Sequence, residues 1–204
     1  MSGVERLGAL GLSLPQESPQ ERGDAARNRV LLLEAARDLV ATRGADAVTM
    51  DDIAAAAGVG KGTVFRRFGS RSGLMMVLLD EDERINQQAF MFGPAPLGPD
   101  APPLDRLVAF GRARLRFTHT HHELLLAANR DPQSRYGAAA MVLRTHVRML
   151  LASAGTTGDL DSQTDALLAL LEADYVEHQL TERHQSLQAL GDAWESLARK
   201  LCGR

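Results

Sequence analysis

The amino-acid sequence predicts an all-α fold. Apolar residues recur at spacings of three and four along much of the chain, and the alternating β-branched runs that strands require are missing. The chain is rich in Ala, Leu and Arg, with 45% hydrophobic but only 4% aromatic residues. Its 204 residues suffice for one or two compact domains. We expect about nine helices, divided between a small N-terminal domain and a larger one.

The net charge and the cysteine count limit the possible settings. With a formal net charge of −3, the chain is not expected to coat nucleic acid nonspecifically, so DNA binding must come from a local basic patch. The single cysteine, Cys202, cannot form an internal disulfide, which favours a reducing, cytoplasmic location. No segment approaches the roughly 20 apolar residues of a membrane span. We therefore expect no membrane partner.

The first 24 residues are expected to be a disordered extension, because Gly, Pro, Ser, Gln and Glu dominate them and no helical stripe persists. A first helix is predicted from Ala25 to Arg43. Asp24 is a suitable N-cap for this helix, and Gly44 is suitable as the residue that follows its last turn. The apolar face of this helix would support the segment that comes next.

The segment from Thr49 to Phe68 predicts two short helices joined by a turn. Thr49 can cap the first helix, because its hydroxyl can accept a hydrogen bond from a free backbone amide. Gly58 can adopt the left-handed conformation that follows a helix end, so this helix should stop at Ala57. A second helix should start near Lys61. The side chains expected to pack together are apolar: Ile53, Ala57, Val59, Val64 and Phe68.

Two short helices joined by a glycine turn form a helix-turn-helix unit, whose second helix enters the major groove of DNA. There is no acidic residue between Asp52 and Asp80, whereas four basic residues are present: Lys61, Arg66, Arg67 and Arg71. A locally basic face on an acidic chain favours phosphate binding. We expect Lys61 and Thr63 near the groove, together with the two adjacent arginines.

The residues around the turn resemble the TetR family of bacterial transcriptional regulators over about a quarter of the chain. The spaced matches are Leu32, Leu33, Ala35, Ala36, Leu39, Val40, Gly44, Thr49, Ile53, Ala54, Ala57, Gly58, Val59, Lys61, Gly62, Thr63, Phe65, Phe68 and Leu74. The resemblance implies a three-helix DNA-binding domain over residues 25–72 and a helical effector-binding and dimerisation domain over residues 73–204. The predicted DNA-binding residues are Thr49, Lys61, Gly62, Thr63, Phe65, Arg66, Arg67 and Arg71.

The sequence departs from the family pattern at three places. Gly60 stands where the family usually has a Ser or Thr cap, and it offers no side-chain oxygen. Phe65 stands where Tyr is usual, so a phosphate hydrogen bond from that hydroxyl is lost. The fourth helix starts with Arg71, Ser72 and Gly73, which keeps a cation but lowers the helix propensity.

A long fourth helix is predicted from Ser72 to Phe92. We expect Leu74, Val77, Leu78 and Ile85 to face inward, and the acidic cluster from Asp80 to Glu83 to form a solvated face. Prolines exclude a helix in the segment that follows, from Gly93 to Pro103. The further predicted helices are Leu104–Thr118, His121–Asn129, Gln133–Ala154, Ser162–Leu180 and Glu182–Cys202.

The last predicted helix carries a heptad stripe formed by Leu187, Leu190, Trp194, Leu197 and Leu201. Such a stripe can pack on its own subunit. The family resemblance favours a second interpretation, a homodimer interface formed by the last two helices. Two-fold symmetry would let two helix-turn-helix units bind a palindromic operator.

Polar residues on an apolar stripe of the penultimate predicted helix indicate a ligand site. Asp174 and His178 share this stripe with leucines, and buried polar groups need partners. A polar pair in the core or in the dimer interface is the alternative. The full set predicted to bind an effector is Phe110, Arg114, Phe117, Arg144, His146, Met149, Asp174, Tyr175 and His178.

The histidine cluster of His119, His121 and His122 has metal-ligand residue types, but no cysteine or regular acidic partner lies nearby in the sequence. Histidines at a helix end more often interact with the helix dipole. We therefore expect no metal and no other cofactor. The sequence contains no serine elbow, phosphate loop or zinc-protease motif, which argues against an enzyme.

The sequence thus predicts a homodimeric DNA-binding regulator, a repressor that a small-molecule effector releases from its operator. The first alternative is a helical dimer that binds a small molecule or a protein but binds DNA poorly, as Gly60 and Phe65 would allow. The second alternative is a metal-dependent helical enzyme that uses the histidine cluster.

Overall fold

The computed structural model describes residues 19–45, 47–128 and 137–203, with side chains from Arg27 onward. Ten helices and no strands are found within these ranges, which confirms the all-α class. In chain order they are α1 Pro19–Arg43, α2 Met50–Ala56, α3 Lys61–Phe68, α4 Arg71–Phe92, α5 Pro103–Thr120, α6 His122–Ala128, α7 Ala138–Ser153, α8 Leu160–Ala169, α9 Ala173–Thr181 and α10 Leu187–Leu201. The chain forms two compact units that divide between Arg71 and Ser72.

The first helix is longer than the sequence predicts. It begins at Pro19, six residues before the expected start at Ala25, so the prediction of disorder is wrong for residues 19–24. Proline is well tolerated in the first turn of a helix, where its missing amide hydrogen is not needed. The rest of the predicted extension, residues 1–18, lies outside the described residues. The helix ends as expected, since Gly44 follows it with a φ of 80°.

Interactions and backbone conformations of neighbouring residues fix both ends of α2. The amide of Asp52 donates to the Thr49 hydroxyl at 3.1 Å, and the amide of Thr49 donates to the Asp52 carboxylate at 3.0 Å. These reciprocal bonds form a capping box. The turn after α2 contains Gly58 at a φ of 64°, a conformation that favours glycine. The predicted N-cap and turn of this helix are therefore confirmed.

The small unit has its core where α2 packs on both α1 and α3. Ile53 and Val64 are completely buried, and Phe68 is nearly so, whereas Ala57 and Val59 are only half-buried. Buried side chains on α3 are therefore four residues apart, on one face of the helix. The opposite face of α3 is left exposed.

The larger unit is organised around α5, which contacts α6, α7, α9 and α10. Its core contains Phe90, Leu104, Leu107, Phe110, Leu115, Leu143, Val147, Leu150, Leu151, Leu167, Leu171, Val176, Leu190, Trp194 and Ala198. On α4, Leu74 and Leu78 are buried as predicted and Val77 is half-buried, but Ile85 is 50% exposed. Glu83 is buried in place of Ile85. The prediction of a solvated acidic face is therefore wrong at Glu83, and the prediction of an inward-facing side chain is wrong at Ile85.

The helix predicted from Ser162 to Leu180 is in fact two helices. The chain leaves helical geometry after Leu170, and α9 begins one residue after Glu172, which has an extended conformation. The buried hydroxyl of Thr118 donates a 3.1 Å hydrogen bond to the carbonyl of Leu171. This tertiary bond satisfies a backbone group at the break, and the local sequence contains no Gly or Pro that could predict it.

The last helix begins at Leu187, after a Ser186 side-chain cap, and not at Glu182 as predicted. Its apolar stripe packs inside its own subunit. Trp194 is only 1% exposed, and its indole nitrogen donates a 3.0 Å hydrogen bond to the Leu107 carbonyl. Leu190 is also buried, and the remaining stripe residues pack against the same core: Leu187, Leu197 and Leu201. Of the two interpretations of this stripe, the structure favours internal packing, so Leu190 and Trp194 are not available to a dimer interface.

Candidate DNA-binding surface and effector cavity

The exposed face of α3 carries three large side chains that are predicted from the sequence to bind DNA. Phe65 is 42% exposed, and Arg66 and Arg67 are exposed beside it. Thr63 is half-buried, with its hydroxyl 3.4 Å from Nη2 of Arg66. The backbone at Gly62 is open, because a β-carbon built there would meet no atom within 4 Å. This surface combines cations, an aromatic ring and accessible backbone.

Two further predicted residues lie at the edge of this surface and already have partners. The ammonium group of Lys61 lies 2.5 Å from the Asp51 carboxylate, and both side chains are about 60% exposed. Exposed ion pairs are weak, so a phosphate can replace this carboxylate at little cost. The Thr49 hydroxyl is bound to Asp52, and these hydrogen bonds hold the pKa of the Asp52 carboxyl below its usual value.

Arg71 has a structural role that the sequence did not predict. Its Nε donates a 2.8 Å hydrogen bond to the carbonyl of Val48, and its Nη2 also bonds to the carbonyl of Ala45. The side chain is half-buried. Arg71 therefore positions the loop between α1 and α2, and its contact with DNA remains a prediction.

The larger unit contains a cavity of about 390 Å³, within the range of about 300–1,000 Å³ that small-molecule sites occupy. Its walls come from α4 to α9. The apolar lining consists of Met76, Leu79, Leu125, Ala138, Ala139, Ala140, Leu143, Leu168, Leu171 and Ala173. The polar lining consists of Asp80, Glu83, Arg114, Thr118 and Glu172, with Gly137 contributing backbone.

A buried ion pair forms part of the cavity wall. Nη1 of Arg114 lies 2.5 Å from Oε2 of Glu83, and each side chain is only about 10% exposed. Gln87 donates a 3.2 Å hydrogen bond to the other Glu83 oxygen. The guanidinium carbon also lies 4.5 Å from the ring centre of Phe117, a cation–π contact. Both charges are therefore compensated by well-placed neighbours, as burial requires.

A second pair joins α4 to the end of α5. Nε2 of His121 lies 3.0 Å from Oδ2 of Asp82, and its Nδ1 donates to the Phe117 carbonyl at 2.9 Å. The imidazole stacks on the Phe117 ring, with centroids 4.3 Å apart. The acidic cluster on α4 is thus not simply a solvated face, since Asp82 and Glu83 both bind cationic or polar side chains of α5 and its end. Its partners were too distant in sequence to be predicted.

Most of the predicted effector-binding residues do not line the cavity; among them only Arg114 does. Phe110 is 1% exposed in the core, and Phe117 lies beneath Arg114. Arg144 is half-buried and forms ion pairs with Asp161 and Asp165. Met149 is 44% exposed.

The polar residues predicted to share a stripe on the penultimate helix are exposed to solvent and do not line the cavity. Asp174 is exposed and accepts a hydrogen bond from the Tyr175 amide, while His178 is exposed beside Glu182 at 3.1 Å. The buried face of α9 consists of Ala173, Val176 and Gln179. The break after Leu170 changes the helical register, so a stripe counted continuously from Leu167 through Asp174 does not exist.

His146 lies in the core between Phe90 and Phe110, with ring centroids 4.4 and 5.2 Å away. Burial, followed by the nearby positive charge of Arg106, lowers the pKa of His146 to about 4. The ring is therefore neutral near pH 7 and serves as a packing group.

The histidines predicted as a weak metal candidate do not converge. His119 and His122 stack with centroids 6.5 Å apart, and His121 is engaged by Asp82. The described ranges contain no group of three metal-ligating side chains placed to hold a metal. They also contain no helix that is long and apolar enough to cross a bilayer.

Residues 32–76 match the model of the bacterial regulatory proteins of the tetR family. This match covers α2 and α3, the second half of α1 and the beginning of α4. The chain therefore contains a TetR-type region at residues 32–76. It carries the DNA-binding helix-turn-helix domain of a TetR-family transcriptional regulator.

A curated relative, the HTH-type transcriptional regulator AlkX of Mycobacterium tuberculosis, is 43% identical over 56 residues. This region is 28% of our chain and 26% of AlkX, so the match spans about a quarter of the relative's length. The similarity concerns the DNA-binding region only.

Solved structures share the fold over most of both chains. A transcriptional regulator from Saccharomonospora viridis in complex with choline has a TM-score of 0.67 at 21% identity, covering 84% of our chain and 95% of that one. Escherichia coli NemR in its reduced form has a TM-score of 0.60 at 16% identity, covering 85% and 96%. At these identities the likeness establishes the TetR-like fold alone.

Proposed function

We propose that this chain is a homodimeric repressor that binds a palindromic operator through α3 and leaves it when an effector binds. The observation that carries the DNA-binding part is the exposed face of α3. Arg66 and Arg67 project from a helix that contains no acidic residue, and Gly62 leaves its backbone open to close approach. Arginines at exposed positions supply phosphate contacts and base-edge contacts.

The homodimer follows from the geometry of operator recognition. A single helix-turn-helix unit reads one half-site, and a two-fold axis doubles the contacts on a palindrome. Because Leu190 and Trp194 are buried within one subunit, the partner must contact other residues. The homodimer interface on the last two helices thus remains a prediction for their outward-facing side chains.

The effector part is supported by the cavity of about 390 Å³ in the larger unit. The fold of the Saccharomonospora viridis protein accommodates choline, so a small-molecule ligand is consistent with this architecture. An effector acts by binding one arrangement of the dimer better than the other. A ~100-fold preference corresponds to about 2.7 kcal/mol of coupling, near the usual allosteric range.

The DNA-binding proposal can be tested with duplexes that the full-length protein selects from a random library. The selected sites should be palindromic, and their affinity should fall steeply with salt. Replacing Arg66 and Arg67 by Ala should weaken binding and reduce the salt slope by about 0.9 per lost phosphate contact. The control is Arg199→Ala, which removes an exposed arginine of α10 that pairs with Glu195. An unchanged slope in the double variant would remove α3 from the interface.

Two features of α3 favour the alternative of a ligand-binding dimer with weak DNA affinity. Gly60 caps α3 without a side-chain hydrogen bond, and Phe65 has no hydroxyl to offer a phosphate. If this alternative holds, the library will yield no enriched duplex while small molecules still bind the larger unit. Restoring a Ser at position 60 and a Tyr at position 65 should then create measurable DNA affinity.

A further inference from the structure

We propose that Arg66 recognises a guanine in each half of the operator, and that Gly62 gives α3 the clearance to approach this base through the major groove. This inference rests on the proposed function and deepens it, because it assigns sequence recognition to one side chain and names the base. Its support lies in the direction of Arg66 on α3, in the partners of its guanidinium and in the glycine one turn before it.

Arg66 lies on the side of α3 opposite to its buried residues, which are Val64 and Phe68. Consecutive residues of a helix are turned by about 100°, so Arg66 lies about 160° around the axis from each buried side chain. Arg67 lies only about 60° from Val64 and about 100° from Phe68. Arg66 is therefore at the centre of the exposed face, and Arg67 is on its flank.

The centre and the flank of a recognition helix meet different parts of DNA. When such a helix lies in the major groove, the centre of its exposed face is next to the base edges, and its flanks are next to the phosphates that border the groove. The direction of Arg66 thus favours a base contact, whereas that of Arg67 favours a phosphate contact. The two arginines are adjacent in the sequence, and only their directions on the folded helix distinguish them.

The partners of the Arg66 guanidinium leave it able to bind a base. It forms no ion pair within the described residues, unlike Lys61, which lies 2.5 Å from the Asp51 carboxylate. Its Nη2 donates a long hydrogen bond of 3.4 Å to the Thr63 hydroxyl, three residues earlier on α3. This bond leaves the other N–H groups able to donate. Guanine presents two acceptors in the major groove, O6 and N7, which match two N–H groups of an arginine.

The residue one turn before Arg66 has no side chain, although nothing in the described residues requires a glycine there. Gly62 lies within α3 and does not have a positive φ, and a β-carbon built on it would meet no described atom within 4 Å. Glycine weakens a helix relative to alanine. Gly62 and Arg66 lie within about 40° of each other on the exposed face. The missing side chain therefore lets α3 lie close to the base edge that Arg66 contacts.

The test uses an operator duplex that the full-length protein selects from a random library, with affinities measured by fluorescence anisotropy. Each guanine of a half-site is replaced in turn by adenine and by 7-deazaguanine, which lacks N7. At one position, adenine should weaken wild-type binding by about fivefold to a hundredfold, and 7-deazaguanine by at least about threefold.

Variants at the two arginines should separate recognition from affinity. Arg66→Ala should bind the three duplexes with affinities within about twofold of each other. Arg66→Gln should prefer adenine, because the glutamine amide pairs with N6 and N7 of that base. Arg67→Ala is the matched control, since it should change all three affinities by one common factor and keep the preference for guanine.

Gly62→Ala tests the clearance separately. The added methyl group should raise amide protection in α3, because alanine favours the helix, and should still weaken binding to the selected duplex by about tenfold or more. A loss of affinity together with higher protection cannot be explained by unfolding of α3.

Other results would overturn the inference. If Arg66→Ala keeps the preference for guanine, another side chain recognises the base, and if only Arg67→Ala loses it, that side chain is Arg67. Unchanged binding by Gly62→Ala would show that α3 does not approach the bases along this line. Selected duplexes without such a guanine would remove this inference alone, whereas a library that yields no duplex would also remove the proposed DNA-binding function.

Discussion

The helix-turn-helix unit and the larger helical unit are fixed by interactions of different sequence range. In the small unit, Thr49 and Asp52 cap α2 across three residues, and Gly58 supplies the turn that follows. In the larger unit, Glu83 binds Arg114 across 31 residues, and the indole of Trp194 reaches the Leu107 carbonyl across 87 residues. Caps and turns of short sequence range can be recognised in the sequence, whereas pairs of long sequence range can be identified only from the tertiary structure.

The two kinds of interaction also differ in how much they contribute to the free energy of unfolding. Caps and turns contribute about 1 kcal/mol each and act on exposed backbone. Buried polar pairs and tightly packed helix crossings contribute several times as much when only one partner is removed. Substitutions in the larger unit should therefore have the larger effects. The single tryptophan, Trp194, lies in the larger unit, so its fluorescence reports unfolding of that unit.

The largest effect is expected for Arg114→Leu. It leaves the buried Glu83 carboxylate without its cation, which should lower the free energy of unfolding by about 3–5 kcal/mol. Urea titration followed by Trp194 fluorescence measures this loss. The double variant Glu83→Leu with Arg114→Leu should recover most of it, because no unpaired charge is left. If the double variant is as unstable as the single one, the pair is not the source of the stability.

A pH dependence of similar size should come from His146. Its pKa is about 4 in the folded chain and about 6.5 when unfolded. Below pH 6.5 the unfolded chain therefore binds a proton that the folded chain does not, so stability falls as the pH drops from 6.5 towards 4. The full loss is about 3 kcal/mol.

His146→Leu should flatten this dependence when urea midpoints at pH 7 and pH 4.5 are compared. Exposed His178→Gln is the matched control and should keep the wild-type slope. Equal slopes in the wild type and His146→Leu would show that the imidazole is already accessible to protons in the fold.

Substitutions at the crossing of α5 and α10 should have an intermediate effect on the free energy of unfolding. A β-carbon at Gly111 would lie 2.0 Å from the indole of Trp194, so Gly111→Ala must displace a buried ring at a cost of about 1–3 kcal/mol. At Gly191 the nearest atom is the end of the flexible Arg112 side chain at 2.6 Å. Gly191→Ala should therefore be much milder in the same urea titration. A reversed order would contradict the packing of this crossing.

The smallest effect is expected in the helix-turn-helix unit. Thr49→Ala removes the side-chain half of the capping box, which should cost about 1 kcal/mol. Amide hydrogen exchange should show lower protection in α2, and the Trp194 unfolding midpoint should stay unchanged. If that midpoint moves as well, the two units do not unfold independently, and the stability of the small unit is not set by its local interactions alone.

Prediction from sequence worked best where the determinants were contiguous. The capping residue, the turn glycine and the start of α3 agree with the structure because each depends on the backbone conformation of a few neighbouring residues. Arg71 is the exception in this unit. It reaches carbonyls 23 and 26 residues away, and nothing in its local sequence distinguishes this role from phosphate binding.

The cavity illustrates why the larger unit was harder to predict from the sequence. Its acidic lining residue Glu83 shares a helical stripe with Leu79 and Phe90, which was the one available signal that this acid is buried. The partner of this acid could not be inferred, since an apolar stripe shows which face is covered but not which helix covers it. The break between α8 and α9 then changed the register, so the predicted residues Asp174 and His178 turned outward.

The sequence by itself determined that this chain is helical and that it carries a TetR-type helix-turn-helix, because periodicity, caps and the glycine turn are encoded within single segments. Only the tertiary structure decided that the stripe on the last helix packs inside its own subunit, that Arg114 is neutralised by Glu83, and that acids and leucines surround one cavity. These features depend on which helices meet and at what rotation. That choice follows from the packing of the whole core and is not written in any one segment.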